Sequence, residues 1–199
     1  MKKLIEKFNP AWGSKFLIVF SLIGCGSGLF AYLFVNSAVT HRYFFHELPL
    51  KQMTPTIWIG LGPIGAIVAV FIGFGRIFTD LTALSNFGAF SIPFAVLFWG
   101  FGVIWYFISI LLTLHKTFFE EIPYSMGWWA FTFPLGIFTL STYQIYKILM
   151  QSKFVLLLFY LFYITLLFFW LLTFYRTFKY HLWEPKNKDI LEKRELKNN

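Results

Sequence analysis

Trp128-Trp129-Ala130-Phe131-Thr132-Phe133-Pro134 lies in a run without charge between Glu121 and Lys147. The run is long enough to cross a bilayer as a helix, which takes about 20 apolar residues. Pro134 sits inside it. Proline has no N–H to continue the helical ladder, and its ring displaces the carbonyl one turn earlier. In lipid, such a break is tolerated only where protein or water satisfies the freed backbone group. The stretch therefore predicts a bent membrane helix that faces protein or a cavity on at least one side.

The rest of the chain points to the same solvent. Charged residues make up 13% of the 199, against roughly 25% in a soluble domain. The apolar residues fall into five long runs, at about 16–38, 56–75, 87–114, 124–146 and 154–175. Long uniform runs predict helices. Barrel strands would be short and alternating. The fold class read from these runs is an all-α integral membrane protein with five transmembrane helices. Polar connections separate them, and residues 1–15 and 184–199 form a short basic N-terminal segment and a charged tail. The apolar run after Lys15 is too long for a signal-peptide core and is read as a retained span.

The net charge of +8 is a membrane-flanking charge and not a nucleic-acid signal, because basic residues beside spans set topology and meet anionic headgroups. Five spans place the two ends on opposite sides. The side with the C-terminus carries more Lys and Arg, which favours a cytoplasmic C-terminus in the plasma membrane, although Lys2, Lys3, Lys7 and Lys15 oppose that assignment. Cys25 is the single cysteine, so an intramolecular disulfide and a cysteine-based metal site are excluded. In its apolar run it reads as a small packing residue.

Spans two and four differ from the others. Span two places Gly60, Gly62 and Gly65 around Pro63. In span four, Thr132, Gly136, Thr139, Tyr143 and Tyr146 recur at helical spacing and share one face. Small and hydroxyl residues on one face serve tight helix packing, and they serve equally as one wall of an aqueous pathway. Both readings stay open at this point. No Asp, Glu, Lys or Arg lies in the middle of any span, which argues against a carboxylate proton relay and leaves a passive route. His41, His46 and His115 stand at span ends, as headgroup-contacting histidines do, and Glu120-Glu121 mark a water boundary. A haem protein or membrane enzyme using these histidines is the weakest alternative, since no spaced ligand set is visible. No cofactor or metal is expected.

Met126-Gly127-Trp128-Trp129-Ala130-Phe131-Thr132-Phe133-Pro134-Leu135-Gly136 resembles the ninth helix of the tellurite-resistance/dicarboxylate transporter family. That family includes fungal malate permeases, sulfite efflux pumps and plant slow anion channels. The His46-Glu47-Leu48-Pro49 loop and Gly60-Leu61-Gly62-Pro63 are similar to the approach to its seventh helix, and Glu121-Ile122-Pro123 to the linker before its ninth. The resemblance implies a ring of ten helices in five hairpins, with odd-numbered helices inside and bent by prolines. The five spans then correspond to helices six to ten, with spans two and four inside.

By motif position, the resemblance makes Phe133 the pore plug. It makes Thr132, Gly136, Thr139, Tyr143, Gly60 and Gly62 pore-lining, and Pro63 and Pro134 the bending prolines. It implies transport of a small anion, such as malate, sulfite or tellurite, without a charged binding site. Two inner helices cannot enclose a pore, so it further implies a separately encoded N-terminal half or a homo-oligomer (some relatives form trimers). A non-transporting remnant or helix-packing protein is the alternative.

Overall fold

The computed structural model describes residues 13–46, 50–78, 85–119 and 122–182. Glu47, Asp80, Glu120, Glu121, most of the basic N-terminal segment and the charged tail lie outside them. The chain divides into two compact units, Met1–Leu48 and Pro49–Asn199.

Among its described residues, the first unit holds one helix, α1, Gly13–Phe45. Its stretch Phe16–Tyr43 is long and apolar enough to cross a membrane. Ser27 donates its hydroxyl to the carbonyl of Ile23, at 2.9 Å. A hydroxyl in an apolar helix is satisfied this way without water.

The second unit runs as 3-10 helix, α-helix, α-helix, and then repeats that order. The first set is Lys51–Gly60, α2 (Leu61–Phe78) and α3 (Ser85–Phe119). The second is Met126–Phe131, α4 (Phe133–Ile148) and α5 (Lys153–Leu182). Gln52–Phe78, Ser85–Phe118 and Lys153–His181 are each of membrane-crossing length and apolarity. With 16 residues, α4 is shorter. At ~1.5 Å per α residue and ~2 Å per 3-10 residue, α4 and its lead-in still reach beyond the ~30 Å of a hydrocarbon core. No strand occurs among the described residues.

The two prolines explain where α2 and α4 begin. Pro63 is the third residue of α2 and Pro134 the second of α4. First-turn N–H groups have no intrahelical acceptor, so a proline there loses nothing and its fixed φ suits the helix. The expected bend of a continuous α-helix thus takes another form. Each proline marks a 3-10 to α junction, and the change of helix type carries the break. Proline inside an established α-helix occurs instead at Pro93 of α3, which the sequence reading did not single out.

Glycines set how closely these helices approach. A Cβ on Gly65 would lie 2.8 Å from the backbone nitrogen of Phe138, so α2 and α4 touch backbone to backbone there. A Cβ on Gly62 would meet Pro134 at 3.4 Å, an ordinary contact. The Phe138 ring fills the space left by Gly102 of α3 and lies 5.3 Å from the Phe162 ring of α5. Apolar burial gives little drive between helices in lipid, so close packing and hydrogen bonds hold the bundle.

The interior is aromatic. Trp58 is fully buried, with Tyr106, Phe131 and Phe169 edge-on around it at 4.9–6.1 Å. Its indole N–H donates to Thr113 at 3.0 Å, and that of Trp99 donates to Thr142 at 3.1 Å. The Tyr106 and Thr165 hydroxyls share a 2.7 Å bond. Each bridge ties two helices and satisfies a polar group away from water. Thr113→Val keeps the shape and leaves the Trp58 N–H unpaired. It is expected to lower stability by ~1–2 kcal/mol in detergent unfolding, with Thr113→Ser recovering most of the loss.

Candidate functional site

The sides of α4 have different surroundings. One side carries Pro134 and Phe138 onto α2. A second carries Gly136, whose Cβ would meet Leu166 of α5, and Tyr143, whose ring lies 5.4 Å from Phe159 of α5. The third carries Phe133, Ile137, Leu140, Gln144 and Lys147, all exposed or half-buried. Phe133 is 73% exposed.

On α2 and its lead-in, Ile59, Pro63, Ala66, Val70, Gly73 and Ile77 are exposed or half-buried and are spaced four, three, four, three and four, while Ala69 and Arg76 are open off that row. The row is a single helical stripe. Gly62 meets Pro134 and Gly65 meets Phe138, so the two chains advance together and α2 and α4 run parallel. At 3.6 residues per turn, the α2 stripe lies about 90° from the side facing α4, and the α4 stripe about 110° from the side facing α2. The rotations have opposite sense, so both stripes look to the same side of the α2–α4 pair.

Behind that pair stand α3 and α5. A Cβ on Gly75 would press into Ile92 of α3, and the rings of Phe94 and Phe98 stack on Phe71. The unit is therefore two layers deep. Its α2–α4 layer presents one open apolar face with a single charged side chain on the α4 stripe, Lys147.

The structure separates the residues that the sequence grouped. Phe133 lies on the open face. Thr132 and Thr139 are buried, Thr139 to 2% exposure. Their hydroxyls donate to the carbonyls of Trp129 and Leu135, at 2.9 and 2.7 Å, within their own segment. Gly136 and Tyr143 turn toward α5. Gly60 faces the Trp105 indole and Gly62 faces Pro134. Among the expected lining positions, none of these six stands on the open stripe. The glycines are used for close contact with neighbouring side chains, and the threonine hydroxyls are returned to their own backbone. Pro63, expected only as a bend, does stand on it.

Both 3-10 lead-ins are held from behind. The Trp105 indole of α3 donates to the carbonyl of Ile57 at 3.1 Å. Thr173 of α5 donates to the carbonyl of Trp128 at 3.5 Å. The Trp128 indole in turn donates to the carbonyl of Pro123 at 3.0 Å, and Arg176 lies 5.6 Å over the Trp128 ring. Each lead-in is thus fastened to protein behind it. The Trp-Trp-Ala-Phe-Thr-Phe-Pro string packs its Trp128 and Phe131 inward and turns Phe133 outward.

His41 and His46 lie with ring centroids 5.6 Å apart at the end of α1. Among the described residues, no three His, Cys, Asp or Glu side chains gather as a metal site would need.

The family model of SLAC1, voltage-dependent anion channel, matches residues 2–178. Over 131 residues the chain is 38% identical to an uncharacterized transporter of Methanocaldococcus jannaschii, covering 66% of this chain and 37% of the relative. It is 31% identical to a sulfite efflux pump of Arthroderma otae, over 52% of this chain and 30% of the relative. It is 24% identical to a malic acid transport protein of Schizosaccharomyces pombe, over 75% and 36%. The chain spans less than half the length of each. No solved structure matches it.

Proposed function

Because the chain belongs to the SLAC1 family of voltage-dependent anion channels, we propose that its α2–α4 face is part of the wall of a passive pathway for small anions, with Phe133 as the plug. The observation that carries this reading is the shared open face. Two parallel inner helices leave matched stripes uncovered on one side, and the ring of Phe133 projects from one of them. Aromatic and aliphatic constrictions gate by excluding water, without a charged binding site. The names of the fungal relatives suggest sulfite or malate as the class of anion. The wall needs further helices opposite it, from an N-terminal half or from copies of this chain. The excess of Lys and Arg on the side of the C-terminus supports a cytoplasmic C-terminus, with the plasma membrane as the proposed location.

A specific observation favours a second reading, a helix-packing membrane protein without transport. The small and hydroxyl positions of span four are occupied in contacts with neighbours. Flux separates the two. The full chain, alone and together with a relative's first five helices, is reconstituted in liposomes loaded with a halide-sensitive dye. Chloride entry well above that of empty vesicles in either preparation is the expected result. Entry equal to that of empty vesicles in both supports the packing reading.

A further inference from the structure

The open face is apolar along its length but ends in charge. On α4 the stripe runs Phe133, Ile137, Leu140, Gln144, Lys147. Phe133 and Lys147 are thus about 21 Å apart along the helix, at ~1.5 Å per residue. Because Gly62 is level with Pro134 and Gly65 with Phe138, Arg76 near the end of α2 is level with the end of α4. Arg76 and Lys147 are both exposed.

The Lys147 ammonium lies 4.5 Å from the centroid of the Tyr143 ring. That ring is itself held against Tyr146 and Phe159. A cation over an aromatic face one turn away is restrained in direction. Its partner ring is anchored by Phe159 of α5, so the charge stays at the rim of the open face. No Asp or Glu occurs among the described residues, so no carboxylate there offsets it. Asp80 follows Arg76 in the sequence, outside the described residues, so the inference rests on Lys147.

We infer that Lys147, restrained by Tyr143, is the charge-selecting residue at the mouth of this face, where it concentrates small anions and repels cations before they reach the plug. The inference rests on the pathway reading above. Lysine near a helix C-terminus also complements the helix dipole, a role that needs no solute.

The test reads local potential without needing flux. Gln144 shares the stripe with Lys147, three residues away. In a Cys25→Ser background, Gln144→Cys is introduced into the full chain in liposomes. Its reaction rate is measured with an anionic sulfonatoethyl and a cationic trimethylammonioethyl methanethiosulfonate. The expected result is that Lys147→Gln lowers the anionic-to-cationic rate ratio by about five-fold at low salt, a size set by one charge about 9 Å away in water acting on two reagents of opposite sign. Lys147→Arg should hold the ratio, and 0.5 M salt should abolish the difference by screening. A ratio that ignores Lys147, or ignores salt, overturns the inference and leaves the pathway reading intact. No reaction with either reagent means that Gln144 faces lipid, which overturns both.

Discussion

Replacing Phe133 with alanine is expected to raise anion entry into liposomes by about an order of magnitude in any assembly that conducts, corresponding to a barrier lowered by ~1.4 kcal/mol. The side chain is 73% exposed on the open face and takes no part in the aromatic interior around Trp58. Removing its ring therefore deletes a water-excluding obstacle and leaves the packing in place. Thermal unfolding in detergent should stay within ~0.5 kcal/mol of the parent, as for other surface changes. Phe133→Leu keeps most of the apolar bulk and should give a smaller rise. Unchanged flux in a conducting assembly would remove Phe133 from the pathway. A large loss of stability would show that its ring packs against something the exposed face does not reveal.

Gly65→Leu is expected to give the largest loss of stability of any single change considered for this chain. The first carbon of the new side chain already meets the backbone of Ile137 and Phe138 at 2.8–2.9 Å, and backbone cannot rotate away. To admit it, α2 and α4 must separate, and Phe138 must leave the slot beside Gly102 and Phe162. Overpacking of this kind commonly costs ~1–3 kcal/mol, and more where no side chain can yield. The variant is expected to aggregate on detergent extraction or to unfold at least ~3 kcal/mol more easily. Gly62→Ala is the control. Its Cβ meets Pro134 at 3.4 Å, so little change is expected there. Equal behaviour of the two variants would mean that the backbone contact at Gly65 does not set the spacing of the helices.

The membrane class and the five helical segments were legible because the apolar runs are long and the charges cluster between them. The special status of spans two and four was legible too, through Pro63, Pro134 and the glycines. Their prolines start α-helices behind 3-10 segments, and the sequence could not distinguish that from a kink. A first-turn proline and a mid-helix proline look alike when the preceding residues are apolar in both cases.

The side of α4 that stays open was not legible. In a soluble helix, polarity marks the uncovered side. Here Leu140 and Ile137 face outward while Thr139 and Thr142 are buried, because an interior without water holds hydroxyls by returning them to backbone carbonyls. Of the row Thr132, Gly136, Thr139 and Tyr143, Gly136 and Tyr143 meet α5, and the two threonines return their hydroxyls to carbonyls of their own segment. Phe133 was placed by resemblance to a motif. No spacing argument distinguishes it from Phe131, which lies two residues earlier and stacks on Phe169.

The two clasps behind the 3-10 segments differ in length, and that difference has a consequence for local opening. The Trp105 bond to Ile57 falls inside the usual range for an N–H donor, whereas the Thr173 bond to Trp128 is well beyond the usual range for a hydroxyl. Segments with weaker tethers open at lower free energy than the fold as a whole. The amides of Met126–Phe131 should therefore exchange with deuterium sooner than those of Lys51–Gly60, although both lie at equivalent places in the repeat. The looser of the two is the one from which Phe133 is suspended.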